Sequence, residues 1–234
     1  MARSWLVLAR ESTKDGLLEL RQRDAHDFLI TLDGRVLMRS AAHRSEVALA
    51  ELALARLPPR PAPRVLVGGL GMGLTLRAAL DALPAGARVL VAELHEPVVS
   101  WCRGPLAVLT RNAVDDPRVR VQVGDVARVV SGGGPFDAIL LDLFVGPQRP
   151  DREHPLWGAA ALANAREALA PDGVLAVWGE APDARFEKRL RGAGFGFERT
   201  RPGRGGRRHV VYVAVRESRT RGGRPRGQAE NRRS

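Results

Sequence analysis

Cysteine is almost missing from this chain of 234 residues. Cys102 is the only one, so no internal disulfide can form and a reducing compartment is the natural setting. Metal ligands are no better supplied. The five histidines, at positions 26, 43, 95, 154 and 209, fall in no spacing such as H-E-x-x-H, and Cys102 has no second thiol to share a zinc ion. Lysine is scarce too: Lys14 and Lys188 stand alone among 37 basic residues. Crowding by Ala, Gly, Pro and Arg fits a GC-rich coding genome better than a selected arginine surface. No apolar run is long enough to cross a bilayer, and the apolar part of the opening ten residues is too short for a signal peptide. With no G-x-S-x-G elbow, a serine hydrolase is not supported either. The expectation is a soluble, cytoplasmic protein with no metal and no membrane partner.

What is present supports one α/β-sized domain. At 44% hydrophobic the chain can bury a core, so general disorder is ruled out. The formal charge is +11, yet the stretch from Glu198 to Ser234 holds 12 arginines against three glutamates, a net of +9. The basic excess therefore belongs to the C-terminal end. Residues 216–234 are Arg, Gly, Pro and Ser without periodicity and read as a disordered tail. A solvated tail is the plainer reading. The alternative is a weak RNA contact, sequence-blind because no aromatic ring sits between the arginines.

Local patterns predict the elements. Residues 26–40 read as a β-hairpin turning at Asp33-Gly34. Ser45 is placed to cap a helix over about 46–57, with Glu46 at its positive end, and the Pro58–Pro63 stretch stops it. From 64 onward, apolar runs at 64–68, 88–93, 118–123, 136–141 and 173–178 are spaced for helical crossovers. Two further strands, near 195–200 and 209–215, follow a helix at 183–192 and pair antiparallel at the edge. The fold class is α/β: a doubly wound, mostly parallel, seven-stranded Rossmann-like sheet. Residues 1–60 form a small β segment and helix, 61–215 the nucleoside-binding domain and 216–234 the tail.

The most informative stretch is Gly68-Gly69-Leu70-Gly71-Met72-Gly73, a glycine turn between a buried strand and a helix. Glycine admits positive φ and lets a ligand press against the main chain. The dinucleotide pattern G-x-G-x-x-G fails at Leu74, and no P-loop Lys follows. The spacing Gly69, Gly71, Gly73 suits a nucleoside without a pyrophosphate. Glu93 ends the second strand, where a carboxylate can accept both ribose hydroxyls. Asp125 ends the third and Asp142 the fourth, so one crevice gathers three acids and the glycine turn. Trp157 and Trp178 flank that crevice, either as core or as stacking partners. Cys102 reads as a packed small hydrophobe and not as a nucleophile.

These segments resemble the class I S-adenosylmethionine-dependent methyltransferase fold and, more closely, the spermidine synthase (polyamine aminopropyltransferase) family. The resemblance runs over about residues 20–215 and includes Glu93-Leu94-His95-Glu96, Asp116-Pro117-Arg118-Val119, Gly124-Asp125, Phe136–Asp142, Gly146-Pro147 and Gly179-Glu180. It implies S-adenosylmethionine or its decarboxylated form as co-substrate. Glu93 would then hold the ribose, Asp125 the adenine amino group and the glycine turn the aminopropyl or amino-acid end. Leu94 and Val126, which follow the two acids, join the same site.

The departures lie in the amine site. Where the family carries an Asp in the glycine turn, this chain has Gly71. After Asp142 the run Leu143-Phe144-Val145-Gly146-Pro147 is about two residues shorter and lacks the second, catalytic Asp. The His43-Arg44-Ser45-Glu46 start of the first helix also departs from the family's tyrosine- and histidine-bearing pattern. A polyamine cation needs carboxylates to offset its desolvation, so the acceptor is open although an amine is implied. Asp142 remains as general base or amine-orienting group. The alternatives are a methyltransferase acting on a small molecule or RNA, and a nucleoside-binding regulator without turnover. A homodimer is left open.

Overall fold

The computed structural model describes residues 4–144, 146–147, 156–202 and 209–216. The expected disordered tail from Glu217 on, and any RNA contact made by it, lie outside the described residues.

The N-terminal segment is a four-stranded antiparallel meander, β1 (Leu6–Thr13), β2 (Gly16–Asp24), β3 (Asp27–Leu32) and β4 (Arg35–Arg39), in that spatial order. The expected hairpin is β3–β4, with Asp33 and Gly34 both at positive φ, as a tight two-residue turn demands. The first two strands were not expected. Their signals were Asp15-Gly16 at the β1–β2 turn and the alternation of Leu18, Glu19 and Leu20, all three of which the fold buries. Glu19 is accommodated because Arg10 donates to it at 2.6 Å and Arg21 pairs with its other oxygen. Those two bonds, Arg21 first, hold its pKa below the ordinary carboxylate value.

The first helix, α1 (Arg44–Leu54), begins one residue before Ser45, with His43 at its cap position. Ser45 is therefore a buried first-turn residue and caps nothing, and the helix ends three residues short of expectation. Then follow β5 (Arg64–Gly68), α2 (Leu74–Ala82), β6 (Arg88–Glu93), α3 (Glu96–Arg103) and α4 (Ala107–Thr110). The chain continues with β7 (Val119–Val123), α5 (Val126–Gly132), β8 (Phe136–Leu141), α6 (Ala159–Ala168) and β9 (Leu169–Gly179). It closes with α7 (Ala184–Gly192), β10 (Gly196–Thr200) and β11 (Val210–Val215).

These seven strands form one sheet in the order β10-β11-β9-β8-β5-β6-β7, with β11 antiparallel to both neighbours and the other pairings parallel. The doubly wound expectation holds. Strand β5 shows why the sheet is buried on both faces. Val65 and Val67 join a core with Leu49 of α1 and Leu76 of α2, whereas Leu66 points to Trp157 and Phe186 on the other side. The first core also takes in Leu18, Leu20, Phe28 and Ile30, so the N-terminal sheet shares it.

Two charged groups lock the frame. Arg118 donates to the carbonyls of Leu80 and Leu83 at 3.1 and 3.0 Å, a cation at the carboxyl end of α2. Its hydrogen bond to Asp116 pushes that carboxyl down to about 2. Arg216 belongs to this frame and not to the tail. Its N–H bonds the Gly173 carbonyl at 2.9 Å and its guanidinium reaches the carbonyls of Leu169 and Glu167.

Candidate nucleoside and acceptor site

The order in which successive strands join the sheet reverses between the parallel neighbours β5 and β8, which opens a crevice at its carboxyl edge. Backbone hydrogen bonds join the loops that leave these strands. Gly69 donates to Ala92 at 2.9 Å, Gly124 to Glu93 at 2.8 Å and Asp142 to Gly68 at 2.9 Å. The glycine turn, Glu93, Asp125 and Asp142 are thereby set along one edge, as expected from the strand ends.

The glycines are demanded by this packing. Gly69 has φ of +86°, and a Cβ there would lie 2.3 Å from the Asp142 carbonyl oxygen. Gly71, at φ of +52°, is covered by Met38, whose Cε would be 2.9 Å from an added Cβ and whose sulfur accepts the Met72 N–H at 3.2 Å. The space at Gly71 is therefore filled by a thioether from the N-terminal sheet. The same sheet reaches the crevice at two other points. His95 Nε2 lies 3.6 Å from Asp15, and the Arg35 guanidinium sits 5.0 Å from the centre of the Phe144 ring.

Glu93 is buried, and both its oxygens already serve the backbone. Oε2 accepts the Leu70 N–H at 2.8 Å and Oε1 the His95 N–H at 2.9 Å. Each oxygen keeps a further lone pair, so the carboxylate can still accept a diol. Leu94 beside it is 42% exposed, an apolar surface at the crevice. Asp125 is exposed and caps α5, taking the Ala127 N–H at 2.8 Å, while Val126 is buried beneath it. One Asp125 oxygen is thus committed to the helix end.

Asp142 has surroundings the sequence did not reveal. The Thr75 hydroxyl donates to Asp142 Oδ2 and also lies 3.4 Å from the Glu46 carbonyl. Although Asp142 keeps some accessible surface, desolvation of its carboxyl, and then the nearby Glu46 charge, push its pKa up to about 7; the Thr75 bond opposes them. Such a group is well matched to proton transfer near neutrality. It also carries a stability signature. The folded state holds the Asp142 proton above the ordinary pKa of 3.8, so its contribution is full below that value and is lost as pH rises to about 7. Asp142→Asn should remove this decline. Urea unfolding of both proteins between those limits is the check, and parallel curves would refute it.

Burial decides the readings of Trp157 and Cys102. Trp157 is fully buried against Phe186, with ring centroids 5.9 Å apart, and so is core. Trp178 is half-buried and meets the His209 ring at 4.8 Å. Cys102 is buried, and desolvation pushes its thiol up to about 12, as befits a packing residue. Thr75, Glu46, His209 and Met38 were not identified from sequence as site residues. Thr75 lies two residues beyond the glycine turn, in the first turn of α2, but nothing in local sequence brings the other three to this edge.

Among the described residues no helix is long and apolar enough to cross a membrane, and no group of three or more His, Cys, Asp or Glu side chains is placed to hold a metal ion.

Comparison with known proteins fits this geometry. No protein-family model matches the chain. The polyamine aminopropyltransferase of Pyrobaculum calidifontis is 34% identical over 122 residues, which is 49% of this chain and 41% of that protein. That of Mycobacterium tuberculosis (strain ATCC 25618 / H37Rv) is 28% identical over 181 residues, 76% of this chain and 33% of that protein. The chain thus spans well under half the length of these curated relatives. Among solved structures, the spermidine synthase of Thermotoga maritima superposes with a TM-score of 0.74 at 21% identity, covering 90% of this chain and 72% of that one. A spermidine synthase in complex with the transition state analogue AdoDATO gives a TM-score of 0.72 at 20% identity, with the same coverage. In sequence over about half its length, and in fold over most of it, this chain is spermidine synthase-like.

Proposed function

We propose that the chain is a cytoplasmic transferase that binds a sulfonium nucleoside, S-adenosylmethionine or its decarboxylated form, and alkylates a small acceptor, an amine by its resemblance. The observation that carries this reading is Glu93: a buried carboxylate at the end of β6, fixed by two backbone N–H groups, beside the glycine turn and the open face of Leu94. The fit is chemical as well as positional, because the carboxylate keeps lone pairs for a ribose diol. The sulfonium supplies an electrophilic carbon with a neutral thioether as leaving group. The residues of the chain hold the nucleoside at Glu93, Leu94, Asp125 and Val126 and present the acceptor beside Asp142. Asp142 orients the acceptor nitrogen or takes its proton, and alignment of the two partners supplies most of the acceleration.

Calorimetric titration with S-adenosylmethionine, its decarboxylated analogue and methylthioadenosine tests the reading. At least one should bind, and silence from all three at millimolar concentration would sink it.

The covering of Gly71 by Met38 favours an acceptor other than a polyamine. A thioether offers a second ammonium none of the charge that would offset its desolvation. With putrescine and the decarboxylated nucleoside, spermidine should form only slowly. Fast turnover abolished by Asp142→Asn would show that another carboxylate, such as Glu180, serves the amine.

A further inference from the structure

A chain of hydrogen bonds runs from the start of β11 to the first turn of α1. Ser45 Oγ lies 2.7 Å from Glu46 Oε2 and 3.0 Å from His209 Nδ1. A serine hydroxyl has one proton to give, and the carboxylate is the stronger acceptor, so Ser45 donates to Glu46. Its second contact is then filled only if His209 Nδ1 carries a proton and donates to Ser45. The order is His209 N–H to Ser45, and Ser45 O–H to Glu46.

The sheet explains how these groups meet Asp142. Val210 pairs with Gly179 and Leu141 with Val177, so His209 and Asp142 leave neighbouring positions of the same edge, separated by β9. Helix α1 packs over that edge, against β8, β9 and β11. Its Glu46 carbonyl lies 3.4 Å from the Thr75 hydroxyl that bonds Asp142. The surroundings of Asp142 are one-sided in charge. From α1 it faces Glu46, and from α2 the uncharged Thr75. Glu93, beyond the glycine turn, is bonded to Leu70 and His95, and Arg35 lies over Phe144. Around His209 stand Ser45 with Glu46 from α1, and the Trp178 ring from β9. Among the described residues no cation pairs with Asp142.

We infer that Glu46 is a positioning residue for Asp142 and that Ser45 and His209 hold its carboxylate in place. The inference deepens the transferase reading, in which Asp142 handles the acceptor nitrogen, and rests on it for its meaning. Desolvation of the Asp142 carboxyl holds its proton at acid pH, and a fixed like charge adds to that hold, so that Asp142 can exchange the proton near neutrality. His209 and Ser45 act by fixing the direction of the Glu46 carboxylate through the two hydrogen bonds. Without them the carboxylate is free to turn away, and its like charge acts less on Asp142.

The experiment is NMR of the full-length, unliganded protein, reading the Asp142 carboxyl carbon against pH and the proton-bearing nitrogen of the His209 ring. Glu46→Gln should lower the Asp142 midpoint by about one pH unit or more. Ser45→Ala and His209→Ala should lower it by smaller steps, and His209→Asn, whose amide N–H replaces Nδ1–H, should restore it. An unchanged midpoint in Glu46→Gln overturns the inference. So does an Nε2–H tautomer in the parent protein, a result that stands even if a variant fails to fold. Both readouts need no nucleoside, so failure of the calorimetric titration would remove the transferase reading without altering them.

Discussion

Glu93→Ala should weaken nucleoside binding by roughly ten- to a hundredfold, the equivalent of about 1.5–3 kcal/mol in charge-assisted hydrogen bonds to the ribose. It should also destabilise the protein with no ligand present. The carboxylate satisfies the N–H groups of Leu70 and His95, and the first of these bonds is buried. Leaving a buried donor unpaired costs about 1–3 kcal/mol, so a loss of that order should appear in urea unfolding. Glu93→Gln separates the two effects. Its amide oxygen can keep one backbone bond, but the negative charge that strengthens the ribose contacts is gone. Calorimetry on the folded variants, beside the denaturation curves, is the measurement. Full nucleoside affinity in Glu93→Ala would remove the residue from the site and leave it as an anchor for the glycine turn.

Trp157→Ala should be the most destabilising single truncation proposed for this chain, costing about 3–5 kcal/mol. The indole has no exposure, meets Phe186 edge-on at 87° and belongs to the core between β8, β9, α6 and α7. Removing it leaves a large cavity in a layer that also holds Tyr212, whose ring lies 5.1 Å from Phe186. Nucleoside affinity of the fraction that stays folded should change by less than about twofold, because the ring is in the core and not in the crevice. Lost affinity with little loss of stability would reverse the assignment and make Trp157 a stacking residue.

Legibility in the sequence followed the range of the forces involved. Strands β5, β6 and β8 were bounded to the residue because continuous Val, Leu and Ile runs between turn residues have few other solutions. Strand β1 opens on the unbroken apolar run Leu6–Ala9, which has no period of two, and the alternation in β2 is short; that Glu19 is buried between two arginines is set by the tertiary fold. Ser45 shows the limit of capping rules. Its preference for a helix start was correct to within one turn, yet its hydroxyl serves Glu46 and His209, the latter 164 residues away, and no backbone donor.

By itself the sequence determined the alternating α/β architecture, the crevice edge and the placement of Glu93, Asp125 and Asp142 along it. Hydrophobic periodicity and strand-end position are local properties, and a parallel sheet with right-handed crossovers turns them into a shared edge. Only the tertiary structure decided the surroundings of Gly71 and Asp142. Met38 covers Gly71 because the β3–β4 hairpin folds over the glycine turn, and Glu46 raises the proton affinity of Asp142 because α1 packs across the edge. Both effects come from groups far apart in the chain whose influence depends on distance and on exclusion of water, quantities that exist only once the core has closed.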